Sequence, residues 1–356
     1  MTFPTDVDVA VVAHNGRETL GATLASLTAA GCPPASVTVF DVASADGTAA
    51  WLASAHPGVR VERFERNDGP NPARNAAIRA PGGRYVFLMD ADVTVQPDTV
   101  ARLHAALDAD SSARIGSPIV VYVSAPDTIQ YADCRLHFIC EAINPWLDRP
   151  LVERGRATRS IGVAPACGLL IDRRAAIEIG LFDERYFMGK DDGDFTHRMR
   201  LAGYRIVEPA DAIVLHRSRP RGAWLFSYQI RNRWHFMLKN YQWSTLALIA
   251  PCLVVHEALQ FAFIHAKGHA AAYWTAVAGL VKMLPSLPRD RASIRRIRAV
   301  DDAVLLHGEP LVVREDLVGG GFAQRLKRAY DRFLGGYWRL VTGTVLARAA
   351  AGPAAR

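Results

Sequence analysis

The chain places acidic and polar side chains where short, β-rich runs come to an end. Val7–Val12 reads as a strand running into Ala13-His14-Asn15, Val37–Phe40 as one ending at Asp41, and Tyr85–Met89 as one ending at Asp90-Ala91-Asp92. In open α/β sheets ligands sit beyond the carboxyl ends of the strands, so these residues share one candidate edge. The D-x-D spacing recurs at Asp6/Asp8, Asp108/Asp110 and Asp192/Asp194, but only Asp90/Asp92 directly follows a strand that looks buried. Two carboxylates there suit Mg²⁺ or Mn²⁺, hard cations held by one or two carboxylates together with substrate phosphate oxygens. Such an ion stabilises the negative charge that gathers on a departing diphosphate. The same pair also fits a turn or a helix N-cap, where aspartate is common.

These residues need a sheet to position them, and the pattern supplies one. Over about the first 215 residues, β-rich runs alternate with helical ones, which predicts an α/β domain with a largely parallel sheet. Helices are expected at Glu18–Ala30, Gly47–Ala55, Pro72–Ala80 and Gly193–Ala202, further strands at Val59–Phe64, Arg205–Glu208 and Ala212–Leu215, and an apolar run stands at Leu169–Ile171.

Beyond His216 the character changes. Arg217 to the C-terminus holds 21 Lys/Arg against 8 Asp/Glu, so the overall charge of +7 hides an acidic first part and a basic second part. Tyr228–Lys239 mixes arginine with aromatic residues, and Leu246–Ile264 and Ala270–Leu284 are long apolar stretches. His256, Glu257 and Gln260 interrupt the first of these, so a full membrane span is not expected from it. A basic cluster follows at Arg289, Arg291, Arg295, Arg296 and Arg298, and the tail from Gln324 to Leu346 again interleaves cations with rings. That combination suits helices lying at an anionic membrane surface. Helices simply packed on the catalytic domain would look similar. The apolar runs fit a bilayer better than a groove tracking nucleic acid. Arg231 and Arg233 flank Asn232, and a guanidinium fork there suits a phosphate of a lipid diphosphate acceptor or a leaving group, or else a solvent-facing interfacial cation. The five cysteines are odd in number and lack metal-ligand spacing, which predicts reduced thiols in a cytosolic setting, and the N-terminus shows no secretory signal pattern.

Taken in order, the motifs resemble those of family 2 glycosyltransferases with the GT-A fold, including bacterial rhamnosyltransferase-like and cell-wall glycan transferases. They are Val11 to Asn15, Asp41 through Ser44-Ala45-Asp46-Gly47-Thr48, Asn67 through Arg74-Asn75, Leu88 to Asp92, Gly180 to Glu184, Asp191 to Phe195, Arg200 to Ile206, His216, and Arg231-Asn232-Arg233. The resemblance runs from about Asp8 to Tyr241 and implies a Rossmann-like GT-A catalytic domain at 1–222; the composition beyond it predicts a helical, membrane-associating region at 223–356. It implies that Asp41 reads the nucleobase, with Ala13, Asn15 and Arg74 lining the same pocket, and that Asp90, Ala91 and Asp92 meet the ribose, diphosphate and metal. It further implies Asp192 as the catalytic base, although the usual preceding Glu is shortened to Asp191 here, and His216 as a metal ligand. Cys167 and Gly168 fall where the acceptor wall begins, and Val42 replaces the usual Asn after Asp41.

The expected chemistry is a single inverting displacement. A carboxylate takes the proton of an acceptor hydroxyl as that hydroxyl attacks the anomeric carbon, at the cytoplasmic face of a membrane. A sugar nucleotidyltransferase is the alternative enzyme, but Ala13-His14-Asn15-Gly16-Arg17 is sparse for a triphosphate loop. A non-catalytic scaffold would need none of Asp41, Asp92, Asp192 and His216.

Overall fold

A computed structural model describes residues 1–218, 222–312 and 320–343. The end of the aromatic tail, Thr344 to Leu346, lies outside the described residues, as does the stretch 219–221. The chain divides into two compact units, the first Met1–Asp133 with Trp146–Pro220 and the second Cys134–Pro145 with Arg221–Arg356.

In the first unit, β1 (Val7–Ala13), β2 (Val37–Val42), β3 (Arg60–Phe64) and β4 (Tyr85–Asp90) pair in parallel. Helices α1 (Leu20–Ala29), α2 (Thr48–Ala55) and α3 (Asn71–Arg79) make the crossovers that parallel pairing requires. β1 and β4 are buried along nearly their whole length, and they read as continuous apolar runs for that reason. Their registers align the chemistry: Ala13 stands opposite Asp41, and Val12 opposite Asp90.

Next come β5 (Val93–Val95), α4 (Thr99–Ala109), β6 (Ala113–Gly116), β7 (Ile119–Tyr122) and β8 (Ala125–Tyr131). The chain then lends two short strands, β9 (Arg135–His137) and β10 (Ala142–Ile143), to the second unit. Back in the first unit lie β11 (Arg159–Ile161), β12 (Gly168–Asp172), α5 (Arg173–Glu178), α6 (Asp191–Leu201), β13 (Arg205–Glu208) and β14 (Ile213–His216).

The main sheet has the order β11-β13-β6-β12-β4-β1-β2-β3. It is mixed rather than largely parallel, because β12 runs antiparallel to both β4 and β6, and β11 antiparallel to β13. β12 must enter this way: it begins at Gly168, paired with Met89, so its start lies beside the end of β4. A smaller sheet, β5-β14-β7-β8, carries His216 beside Val93, one residue past Asp92.

The approach to α6 is built by a clamp. Asn75 on α3 donates to the Phe182 carbonyl (3.0 Å) and accepts from the Phe182 N–H (2.9 Å), while Asn71 donates to the Tyr186 carbonyl (2.7 Å). Phe182 stacks on Phe195 of α6 with ring centroids 4.0 Å apart. Arg198, buried and paired with Asp194 one turn earlier at 2.9 Å, also donates to the carbonyls of Ile179 and Leu181. Asp191, Asp192 and Asp194 occupy the first turn of α6, where the helix dipole favours acids.

The second unit holds α7 (Leu225–Asn240), α8 (Trp243–Ala266), α9 (Ala270–Met283), α10 (Leu287–Ile297), α11 (Asp302–Leu305), β15 (Leu306–His307) and α12 (Gly321–Val341). Residues 134–145 belong to it because β9 pairs with β10 and with β15, which a linear reading of the chain assigns to separate regions. α8 has 24 residues and is long and apolar enough to cross a bilayer by length and composition. Its interrupting polar residues are paired within the unit: Glu257 bonds Arg233, Trp234 (2.9 Å) and Tyr273 (2.8 Å), and Gln260 bonds Arg233 at 3.3 Å.

Gly69 tests the clamp around α3. Its φ is +90°, and a Cβ there would stand 2.6 Å from the Phe187 carbonyl oxygen. Gly69→Ala is expected to cost about 1–3 kcal/mol in chemical denaturation, and unchanged stability would contradict the close approach.

Candidate active site

The site assembles where β1, β2 and β4 end, where β12 begins and where α6 starts. Asp41 is fully buried; its Oδ1 accepts the Ser44 N–H at 3.0 Å, while Oδ2 has no hydrogen bond and stands 3.4 Å from the half-exposed Arg63. Asn15, in left-handed backbone with φ 52°, accepts from the Ala45 N–H at 2.9 Å and donates its own N–H to Ser44 Oγ at 2.8 Å. These bonds tie the loop after β1 to the loop after β2, so Asp41 is held in a rigid recess with Oδ2 ion-paired to Arg63 and not hydrogen-bonded. Arg63 is a residue that sequence reasoning missed, since an arginine on an edge strand looks like an ordinary surface cation.

Two alanines act differently from expectation. Ala13 is fully buried, and Ala91 nearly so. The Ala91 N–H donates to the Val12 carbonyl at 3.0 Å, and its carbonyl accepts from Thr23 Oγ1 at 2.9 Å. Both therefore fix the backbone between their neighbours; they expose almost no surface of their own to a pocket.

Arg74 is the centre of the acidic groups. It is buried, and it donates to Asp191 at 2.8 Å, to Asp90 at 3.1 Å and to Asn71 at 3.3 Å. Burial works against its charge, but Asp90, Asp191 and Asp192 together raise its pKa. Burial, and then the neighbouring Asp192, push the Asp191 carboxyl up to about 6 against the pull of Arg74. Asp192 is half-buried, and its Oδ1 accepts the Gly193 N–H at 2.7 Å. The two adjacent acids thus differ in kind: Asp191 is locked inward on a cation, while Asp192 keeps access to solvent.

Asp92 and His216 form the other arm. His216 Nε2 stands 3.7 Å from Asp92 Oδ1, and its Nδ1 bonds Gln130 Oε1 at 2.8 Å. With that oxygen as acceptor, Nδ1 carries the proton and the Nε2 lone pair faces the carboxylate. The Arg217 N–H donates to the Asp92 carbonyl at 3.0 Å and pins the two strands together. Donors about 2.1 Å from one ion stand roughly 3–4 Å apart, so the pair fits a shared divalent cation. Among the described residues, no three His, Cys, Asp or Glu side chains gather into a cage. That suits an ion completed by phosphate oxygens and water. Asp90, expected at the metal as well, is bonded to Arg74 here.

Cys167 joins the two arms. Its carbonyl accepts the Asp90 N–H at 3.2 Å, and burial followed by the charges of Asp90, Asp92 and Asp192 holds its thiol well above the usual cysteine range. One small side chain thus feels acids from the end of β4 and from α6. Gly168 is buried beside Met89.

Arg233 departs from expectation. It is fully buried within the second unit, ion-paired with Glu257 and 5.2 Å from the Trp234 ring centroid, so it forms neither a surface fork for phosphate nor a solvent-facing cation. Arg231 is half-buried, donates to Asn232 at 2.8 Å and lies over Tyr228 at 4.9 Å. Its partner in each case is close along the same helix.

Comparison with known proteins gives a consistent result. Residues 8–179 match the model of glycosyl transferase family 2. The chain is 30% identical over 237 residues to the N-acetylglucosaminyl-diphospho-decaprenol L-rhamnosyltransferase of Mycobacterium tuberculosis, covering 60% of this chain and 76% of that one. It is 39% identical over 105 residues to the succinoglycan biosynthesis protein ExoO of Rhizobium meliloti, but spans only 30% of that protein, in a match covering 29% of this chain. Among solved structures, GalNAc-T7 with UDP, GalNAc and Mn²⁺ superposes with a TM-score of 0.54 at 19% identity, covering 67% of this chain and 48% of that one. Residues 1–349 of S. aureus TarS in complex with UDP-GlcNAc give 0.52 at 16% identity, covering 96% and 92%. These structural likenesses establish a GT-A-like α/β fold. The breadth of the rhamnosyltransferase match, together with the family model, decides the lineage: the chain belongs to glycosyl transferase family 2 and is a glycosyltransferase.

Proposed function

We propose that the enzyme transfers a sugar, with inversion, from a uridine or deoxythymidine diphosphate donor to a hydroxyl of a lipid-linked or membrane-proximal glycan at the cytoplasmic face of a membrane. The observation that carries this reading is the division of labour between adjacent acids, with Asp191 fixed on Arg74 at 2.8 Å and Asp192 left accessible beside it. Asp192 then takes the proton from the acceptor hydroxyl. Asp191 and Arg74 position it: a buried ion pair anchored on α3 holds the first turn of α6 and keeps the base from swinging. Asp41 accepts an N–H of the nucleobase at Oδ2, beside Arg63, with Asn15 fixing the loop around it. Mg²⁺ or Mn²⁺ held by Asp92 and His216 would neutralise charge on the departing diphosphate.

The names of similar proteins support the substrate classes. The mycobacterial relative is named for a diphospho-decaprenol acceptor, and the TarS and GalNAc-T7 structures contain UDP or UDP-GlcNAc, the latter structure with Mn²⁺. The basic second unit, taken as the membrane-associating region, supports a lipid-borne acceptor.

Three measurements test this reading. Asp192→Asn is expected to lower kcat by about 10²–10⁴-fold with donor affinity nearly intact; substantial residual turnover would move the base to another group. Excess chelator should remove activity and Mn²⁺ or Mg²⁺ restore it, whereas full turnover without metal contradicts the role of Asp92. The pH dependence of stability has a defined sign. A carboxyl whose folded pKa of about 6 exceeds its unfolded value costs stability on ionising, so the stability conferred at low pH is lost as pH rises. Unfolding of Asp191→Asn and wild type compared at pH 4.5 and 7.5 should therefore show the difference moving toward the variant, by no more than about 3 kcal/mol. A difference independent of pH would show that Asp191 does not titrate in this range.

A further inference from the structure

The second unit carries exposed apolar faces, with a cationic pocket at the end of one of them. On α8, Trp243, Ala247, Ala250, Val254, Ala258 and Phe261 recur at intervals of three and four, and all are exposed. That spacing puts them on one side of the helix, in a stripe about 27 Å long. On α9, Trp274, Ala278 and Val281 repeat the pattern, again exposed. Soluble proteins rarely leave such surfaces open, and tryptophan near the end of an apolar stripe is typical of the bilayer interface.

The pocket lies where the α8 stripe begins. Trp243, Leu287, Pro288, Arg291 and Arg295 line a half-open cavity of about 310 Å³. Arg291 stacks on the Trp243 ring at 4.0 Å and donates to the carbonyls of Leu238 and Tyr241, which fixes its guanidinium. Arg295, one turn further along α10, is exposed and has no acidic partner among the described residues. Burial, then Arg298, and to a lesser degree Arg295, pull the Arg291 pKa below its ordinary value, with Asp302 opposing them.

We propose that this pocket seats the phosphate of an anionic phospholipid, with the α8 and α9 stripes lying in the headgroup–acyl boundary. Charge complementarity favours this occupant: paired guanidiniums suit a phosphate, an indole suits headgroup depth, and the apolar stripe starts at that same indole. The proposal rests on the membrane reading above and makes it specific to one site.

The test is sedimentation of the full chain with vesicles of phosphatidylcholine, with and without 30 mol% phosphatidylglycerol (~30%, enough for a clear surface charge). Arg295→Gln should weaken partitioning onto anionic vesicles at least about tenfold, the scale of a lost charge-assisted hydrogen bond. Arg289→Gln, an exposed arginine on α10 outside the pocket, should cost no more than the roughly fivefold of a diffuse surface charge. On neutral vesicles both variants should match wild type. Equal losses in the two variants, or full binding by Arg295→Gln, overturns the pocket while leaving membrane association standing. Failure of wild type to sediment with any vesicle defeats both. Self-association of the chain that Arg295→Gln abolishes, with vesicle binding unchanged, assigns the pocket to a second copy instead.

Discussion

The buried cluster of Arg74 with Asp90 and Asp191 is the constraint on which the catalytic unit depends. It joins α3, the end of β4 and the start of α6, elements whose contacting residues lie 16 and 117 positions away from Arg74 in the chain. Breaking such a pair by removing one partner commonly costs about 3–5 kcal/mol, because a charge is left buried without compensation. The surroundings are built to keep it: Asn71 and Asn75 bind backbone groups of the loop before α6, and Arg198 ties α6 to the carbonyls ahead of that loop. The cluster fixes the ends of several elements at once, and the half-buried acid beside it inherits that rigidity.

Much of the architecture could be read from the chain because its central strands are buried on both faces. β1, β2 and β4 announce themselves as apolar runs, and their ends are marked by His14-Asn15, Asp41 and Asp90. β12 also showed as an apolar run at Leu169–Ile171, but its direction did not, since an apolar stretch of three residues looks the same whichever way it pairs. Strands β5 to β8 were missed: β5, β6 and β7 are short, and β8, though seven residues long, is largely exposed over its first half, so neither length nor alternation marks them clearly.

At the site, residue types were legible and partnerships were not. Placement after a buried strand pointed to Asp92, and the motif order pointed to Asp192 and His216. Nothing local could tell that Arg74 would turn from a nucleotide pocket toward Asp191, or that Gln130 would orient His216 from 86 residues away. Arg233 misled for the same reason. In an aromatic, arginine-rich segment it looks like a surface cation, yet its counter-charge Glu257 lies on the following helix, and the pair is enclosed.

The Asp41 oxygen that lacks a hydrogen bond has a consequence for selectivity. The carboxylate sits on a strand paired on both sides, with Ala13 in register on one neighbour and Arg63 on the other. The Ser44 N–H on Oδ1 and the Arg63 guanidinium 3.4 Å from Oδ2 hold its side chain in place. A heterocycle offering a hydrogen there, on the proposed reading, adds a hydrogen bond to an oxygen that the fold supplies only with an ion pair. One that presents a lone pair instead meets a repulsion the scaffold is too stiff to relieve, a discrimination of about 1–3 kcal/mol. Preference among bases would then be set by the stiffness of a β-sheet, before any part of the enzyme has to move.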